Sequence, residues 1–157
     1  MRLKPSDSGL RQSHELPINM DRELYQDVIL QYSKRPRNFG QLEHHTHAAE
    51  GHNALCGDEI SVALRIENGT VAEAKFTGSA CAICTASACM MTCEVMGLPC
   101  EEVGKLADKF RQLAKDGTAQ DLSTKLQVLG GVHQFPQRVK CAVLPWETLI
   151  NALQSTV

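Results

Sequence analysis

The sequence predicts a two-layer α+β domain, with a small antiparallel sheet of about three strands and a central hairpin packed against helices. Three observations predict it. An alternating apolar run, Ile60, Val62, Leu64 and Ile66, reverses at Asn68-Gly69 into a second run with Ala72, Ala74 and Phe76. Stretches with helical spacing lie before and after this hairpin and do not alternate with strands. The chain has 157 residues, 43% apolar and 22% charged, which is one domain's worth of ordinary globular composition and excludes chain-wide disorder.

Taken in order, residues 1–19 are polar and irregular, with Pro5, Gly9 and Pro17, and read as a flexible extension. Residues 20–157 are then a single domain. Arg2, Lys4, Arg11 and the serines hint at a transit peptide, but Asp7 and Glu15 count against one. From Asp21, the residues Leu24, Val28, Ile29 and Tyr32 keep helical spacing, Asn19 or Asp21 can cap the start, and Pro36 stops the helix. Residues 37–52 read as a loop, and His44, His45, His47 and His52 in it read as a solvated tract.

In the hairpin, a two-residue loop at 68–69 would pair Leu64 with Glu73 and mix the two faces. A three-residue loop over 67–69 pairs Leu64 with Ala72, Val62 with Ala74 and Ile60 with Phe76. That register keeps one face apolar and is the one expected. After Gly78, residues 82–96 form a breaker-free run of small and apolar residues, a buried helix. Pro99 opens another, with Val103, Leu106, Phe110 and Leu113 on one face and Gly117 at its end. A short helix near 121–129 is expected to close at Gly130-Gly131. The last helix follows Pro136 with Leu144, Leu149, Ile150 and Leu153, and Pro145 marks a start or a kink within it.

Sixteen Lys and Arg against 18 Asp and Glu give a net charge of −2, without the basic excess of a nucleic-acid binder. No apolar stretch approaches a membrane span and no apolar signal core opens the chain, so neither nucleic acid nor membrane is an expected partner. Seven cysteines are an odd number. Without an export signal they point to a reduced, cytoplasmic, metal- or sulfur-handling protein.

The cysteines bracket the hairpin. Cys56, in Cys56-Gly57-Asp58, precedes its first strand, and Cys81, in Gly78-Ser79-Ala80-Cys81, follows its second. A hairpin brings those ends together, so two thiols and Asp58 converge without any long-range fold assumption. Cys81 also precedes a helix, whose N-terminus favours a thiolate. Cys141 is a candidate fourth ligand, and three thiolates with one carboxylate make a plausible tetrahedral zinc site. Cys89 and Cys93, one turn apart on an apolar helix, and Cys100 read as packing residues, with a redox role open for the first two. Cys81-Ala82-Ile83-Cys84 is a single CxxC, a weak redox signal without a βαβ context.

Asn53-Ala54-Leu55-Cys56-Gly57-Asp58, Phe76-Thr77-Gly78-Ser79-Ala80-Cys81-Ala82-Ile83, Thr85-Ala86-Ser87-Ala88 and Met90-Met91-Thr92 together resemble the iron–sulfur scaffold family of NifU/IscU type. The likeness covers most of residues 21–154. Gly131-Val132, Phe135-Pro136, Arg138-Val139-Lys140-Cys141-Ala142 and Leu144-Pro145-Trp146 resemble the SufU branch, with an insertion before the third cysteine. In that branch the histidine that precedes this cysteine in other scaffolds is absent, and here the position is Lys140. Ala54 and Ala80 stand where the family often has Pro and Gly, and Cys84 and Cys89 where it usually has Ser. Cys84 is therefore an alternative ligand or redox partner of Cys81.

The resemblance implies a zinc site of Cys56, Asp58, Cys81 and Cys141 and a sulfur-accepting role in iron–sulfur cluster assembly. The partners it implies are a SufS-like cysteine desulfurase and downstream assembly proteins. Cys56, on the hairpin-entry loop, is the expected acceptor, working with the desulfurase rather than as a free-standing enzyme. Three alternatives stand beside this reading. They are a scaffold that assembles a [2Fe–2S] cluster, against which Lys140 weighs, a thiol oxidoreductase using Cys81 and Cys84, and a purely structural zinc clamp.

Overall fold

Strand β2 (Asp58–Glu67) buries Ile60, Val62 and Leu64 on one face and leaves Ser61, Ala63 and Arg65 half-buried on the other. It pairs antiparallel with β3 (Thr70–Ser79) on one side and β1 (His47–Asn53) on the other, giving the order β1-β2-β3. The structure, a computed structural model, describes residues 18–119 and 121–155. The expected flexible extension falls almost entirely outside the described residues.

Five helices complete the α+β fold: α1 (Ile18–Lys34), α2 (Ala82–Val95), α3 (Cys100–Asp116), α4 (Thr124–Val128) and α5 (Pro136–Leu153). On the sheet's apolar face, α5 packs across β1 and β2 and α2 packs against β3. The remaining helices pack around α2 and α5, and the Phe110 ring of α3 stacks on Trp146 of α5 at 4.7 Å between centroids. α2 is buried on nearly every side, which explains why its sequence shows no polar stripe. α3 ends at Gly117, in the left-handed conformation, with its N–H bonded to Leu113 O.

The hairpin register differs from the expected one. Glu67 pairs with Thr70, so the loop is the two-residue Asn68-Gly69, with φ of 53° and 74° at those positions. The register then shifts between Arg65 and Ile66, leaving Ala72 unpaired, and Leu64 meets Ala74, Val62 meets Phe76 and Ile60 meets Gly78. A bulge thus restores the apolar face that a two-residue loop alone would have scrambled.

Residues 47–53 are a strand and not a loop, which places His47 and His52 in the sheet. His47-Ala48-Ala49-Glu50-Gly51-His52-Asn53 has neither β-branched residues nor alternation, and its place comes from backbone pairing with β2 and packing under α5. Three further boundaries shift. α1 begins at Ile18, ahead of Asp21. The short helix spans only Thr124–Val128, and Gly130-Gly131 lie inside a 3-10 turn, Leu129–Gln134, instead of closing it. Pro145 sits inside an uninterrupted α5.

Candidate metal centre

The turn from β1 to β2 is short and braced. Asn53 pairs with Asp58, its side-chain Oδ1 accepts the Leu55 N–H at 3.2 Å, and its carbonyl accepts the Cys56 N–H at 3.2 Å. Gly57 takes a φ of 72°, a value a side chain rarely allows, and completes the turn. Leu55 is 69% exposed at the tip, and Cys56 beside it is exposed as well.

Asp58 begins β2 and is only 1% exposed. Its Oδ1 accepts the Cys81 N–H at 2.7 Å, which ties the two ends of the hairpin together. Gly78 is required in that approach. With a φ of 151°, it would drive any Cβ into the backbone oxygen of Glu59 on the neighbouring strand. Cys81 then caps α2, its sulfur accepting the Cys84 N–H at 3.4 Å.

Cys141 arrives from α5 and is 2% exposed. A buried polar link seats that helix on α2: the Trp146 indole N–H donates to Ser87 Oγ at 3.2 Å, and Ser87 Oγ donates to Ala142 O at 2.6 Å. Pro145 lacks an N–H and so leaves the Cys141 carbonyl without its usual helical donor. The Cys141 thiol donates to Cys56 Sγ at 3.1 Å, and the Asn53 side-chain amide donates to Cys141 Sγ at 3.8 Å.

Cys56 Sγ, an Asp58 carboxylate oxygen and Cys141 Sγ therefore lie within 4.8 Å of one another. Cys81 falls outside that mutual set: its backbone N–H is held by Asp58 Oδ1 and its sulfur by the Cys84 N–H. Three of the four expected ligands converge, and the fourth, Cys81, is tied to Asp58 through its backbone. The second oxygen of Asp58 is buried and has no hydrogen-bond partner. A buried carboxylate with an orphaned oxygen, beside the thiols of Cys56 and Cys141, fits a divalent, sulfur-tolerant cation such as zinc.

The electrostatics fit the same cation. Burial pushes the Cys141 thiol well above the ordinary thiol range, and the neighbouring Cys56 and Asp58 push it further. Burial also raises Cys81, opposed in part by the Cys84 N–H. These groups oppose one another's ionisation, and a bound cation would reverse that. Cys84 is fully buried, and burial first, then Asp58, Cys81 and Cys56, keeps it a protonated thiol. As such it is a poor nucleophile in the metal-free protein.

Among the described residues, the histidines His44, His45, His47 and His52 join no metal-ligating group. His45 contacts Leu42 O and His47 contacts Thr46 Oγ1. His52 does line a groove of about 410 Å³ beside the site, with Asn53, Lys140, Val143 and Glu147. Cys89 and Cys93 lie further along α2, and Cys100 begins α3. Asn53 is the site residue that sequence reasoning missed. Its signal was there, because an Asn two residues before a loop N–H is the signature of an Asx turn.

Comparison with known proteins bears on this geometry. The family described as "NifU-like N terminal domain" matches residues 24–155. The iron-sulfur cluster assembly scaffold protein IscU of Streptococcus pyogenes serotype M1 is 38% identical over 133 residues, covering 83% of each chain. The zinc-dependent sulfurtransferase SufU of Bacillus subtilis is 37% identical over 134 residues, covering 83% of this chain and 89% of its own. Among solved structures, one described as an iron–sulfur cluster assembly scaffold for the SUF system of Fervidobacterium islandicum AW-1 is 28% identical. It superposes with a TM-score of 0.78 over 87% of this chain and 99% of its own.

Proposed function

The chain belongs to the NifU-like N-terminal domain family, and on that premise we propose that it serves iron–sulfur cluster assembly as a zinc-dependent sulfur acceptor, taking persulfide sulfur from a cysteine desulfurase. The observation that carries this reading is the asymmetry of the site. Asp58 and Cys141 are buried while Cys56 stands exposed on a tight turn. One ligand thus faces outward to a partner while the others stay anchored.

Zinc held by Cys56, Asp58, Cys81 and Cys141 would supply the positive charge that favours their ionised forms. Asp58 holds the Cys81 N–H, and so keeps the start of α2 against the hairpin while Cys56 reacts. The Cys56 thiolate attacks the outer sulfur of the desulfurase persulfide. The S–S bond breaks, the desulfurase cysteine leaves as a thiolate, and Cys56 becomes the persulfide. Leu55 and the groove lined by His52, Val143 and Leu144 offer the apolar surface for that approach.

A scaffold role, with a [2Fe–2S] cluster as cargo, is the second reading, since three thiols and a carboxylate also suit a cluster. Lys140, exposed beside Cys141, weighs against it, because an ammonium is a poor cluster ligand. Metal analysis of the isolated protein with its optical spectrum separates the two. A colourless protein with about one zinc per chain supports the acceptor, as a single four-ligand site requires. Stoichiometric iron and sulfide with visible absorption supports the scaffold.

A further inference from the structure

α2 carries a second pair of thiols away from the metal centre. Cys89 and Cys93 are one turn apart, and at 1.5 Å of rise per residue they lie roughly 12 and 18 Å along the helix from Cys81. Cys89 is buried and Cys93 is exposed, and their i,i+4 spacing puts the two thiols next to each other on one face of the helix.

Each sulfur also has an N–H aimed at it from the segment after α1. The Arg37 backbone N–H donates to Cys89 Sγ at 3.1 Å. The Asn38 side-chain amide donates to Cys93 Sγ at 3.6 Å and to Thr92 Oγ1 at 3.0 Å. That segment is fixed from its other side by β3. Phe76 N donates to Asn38 O at 3.0 Å, and Gly40 N donates to Phe76 O at 2.9 Å. Asn38 holds a φ of 62°, which Asn tolerates better than most residues. Both donors are therefore placed by anchored backbone. The Arg37 and Lys125 charges lie within electrostatic range of the pair.

Two thiols so arranged suit a bridging metal better than a disulfide. A disulfide needs Cβ atoms about 3.5–4.5 Å apart, whereas residues four apart on an intact helix hold theirs about 5–6 Å apart. A metal between the sulfurs spans the longer gap, and thiolates select soft ions. We propose that Cys89 and Cys93 form a second metal site, a two-thiolate seat for a soft monovalent cation of the Cu(I) class. Binding exchanges two thiol protons for one Cu⁺, leaving a single net negative charge on the bis-thiolate. The two N–H donors and the Arg37 and Lys125 cations stabilise that charge. This site is independent of the zinc centre and of the sulfur-acceptor reading.

The test is site-resolved alkylation of the zinc-loaded full chain under anaerobic conditions. N-ethylmaleimide is applied with and without Cu(I) buffered by bathocuproine disulfonate, and each cysteine is read by peptide mass spectrometry. The expected result is that Cu(I) slows alkylation of Cys93 at least tenfold in the wild type and leaves it unchanged in Cys89→Ser. Equal Cys93 rates with and without Cu(I) in the wild type, or undiminished protection in Cys89→Ser, would overturn the site. Cys93→Ser changes only an exposed position, so it keeps the proposal testable if Cys89→Ser does not fold. In chelator competition it should bind one Cu(I) fewer than the wild type, and an equal count would overturn the proposal.

Discussion

Asp58 does two jobs that a pair of substitutions separates. One oxygen accepts the Cys81 N–H at 2.7 Å, and the other is buried without a partner among thiols. Asp58→Asn keeps an oxygen for the N–H but replaces the carboxylate with a neutral amide, a poor zinc ligand. Asp58→Ala removes both. A charge-assisted hydrogen bond contributes about 1.5–3 kcal/mol, and a stranded N–H costs about 1–3 kcal/mol. In the metal-free protein, Asp58→Asn should therefore unfold within about 1 kcal/mol of wild type, and Asp58→Ala should lose about 1–3 kcal/mol.

Zinc affinity should fall in both variants by at least the ~10–100-fold seen when even an outer partner of a metal ligand is lost. At zinc about 100 times the wild-type Kd, binding stabilises wild type by about 2.7 kcal/mol. A variant weakened 100-fold gains only about 0.4 kcal/mol at the same zinc concentration. Urea unfolding in zinc and in chelator, with a competition titration, reads both quantities. Wild-type zinc affinity in Asp58→Asn, or equal metal-free stability of the Asn and Ala variants, would refute the division of labour.

Gly78→Ala should destabilise the fold by about 1–3 kcal/mol, because its Cβ meets the Glu59 backbone at a φ reserved for glycine, and urea unfolding measures the loss. Ser87→Ala should cost about 1–3 kcal/mol by stranding the Trp146 N–H, with the Trp146 fluorescence unfolding midpoint as the readout. The metal-free protein should lose stability as pH rises above about 8.5, the ordinary thiol value. Unfolded thiols ionise there, while burial holds Cys84 and Cys141 protonated in the fold. Urea midpoints at pH 7.5 and pH 10, with chelator, should fall in that order, and a rising midpoint would contradict the burial of these thiols.

Much of the site was legible because it is built from chain ends that a hairpin must bring together. Cys56, Asp58 and Cys81 flank an alternating run whose reversal is written in Asn68-Gly69, so their convergence needed no tertiary information. Cys141 was only a candidate, because its approach depends on how α5 seats on α2 through Ser87 and Trp146. The register failed for a related reason. The apolar faces were read correctly, but a bulge at Ala72 can match them as well as a longer loop can, and local pattern does not choose between the two. β1 was invisible because His47–Asn53 is held by backbone pairing and by the close fit of Gly51 under Thr148, neither of which leaves a hydrophobic period. The Arg37–Asn38 contacts to Cys89 and Cys93 span more than fifty residues, beyond any spacing argument.

The most direct test of the account is to supply a cysteine desulfurase and cysteine, then locate persulfide on the protein by mass spectrometry while scoring alanine release. Persulfide should accumulate on Cys56 of the wild type and be absent from Cys56→Ala, including its folded, zinc-bound fraction. Cys84→Ser should transfer sulfur normally. Persulfide formed at the wild-type level on Cys56→Ala, or lost in Cys84→Ser, would contradict Cys56 as the acceptor.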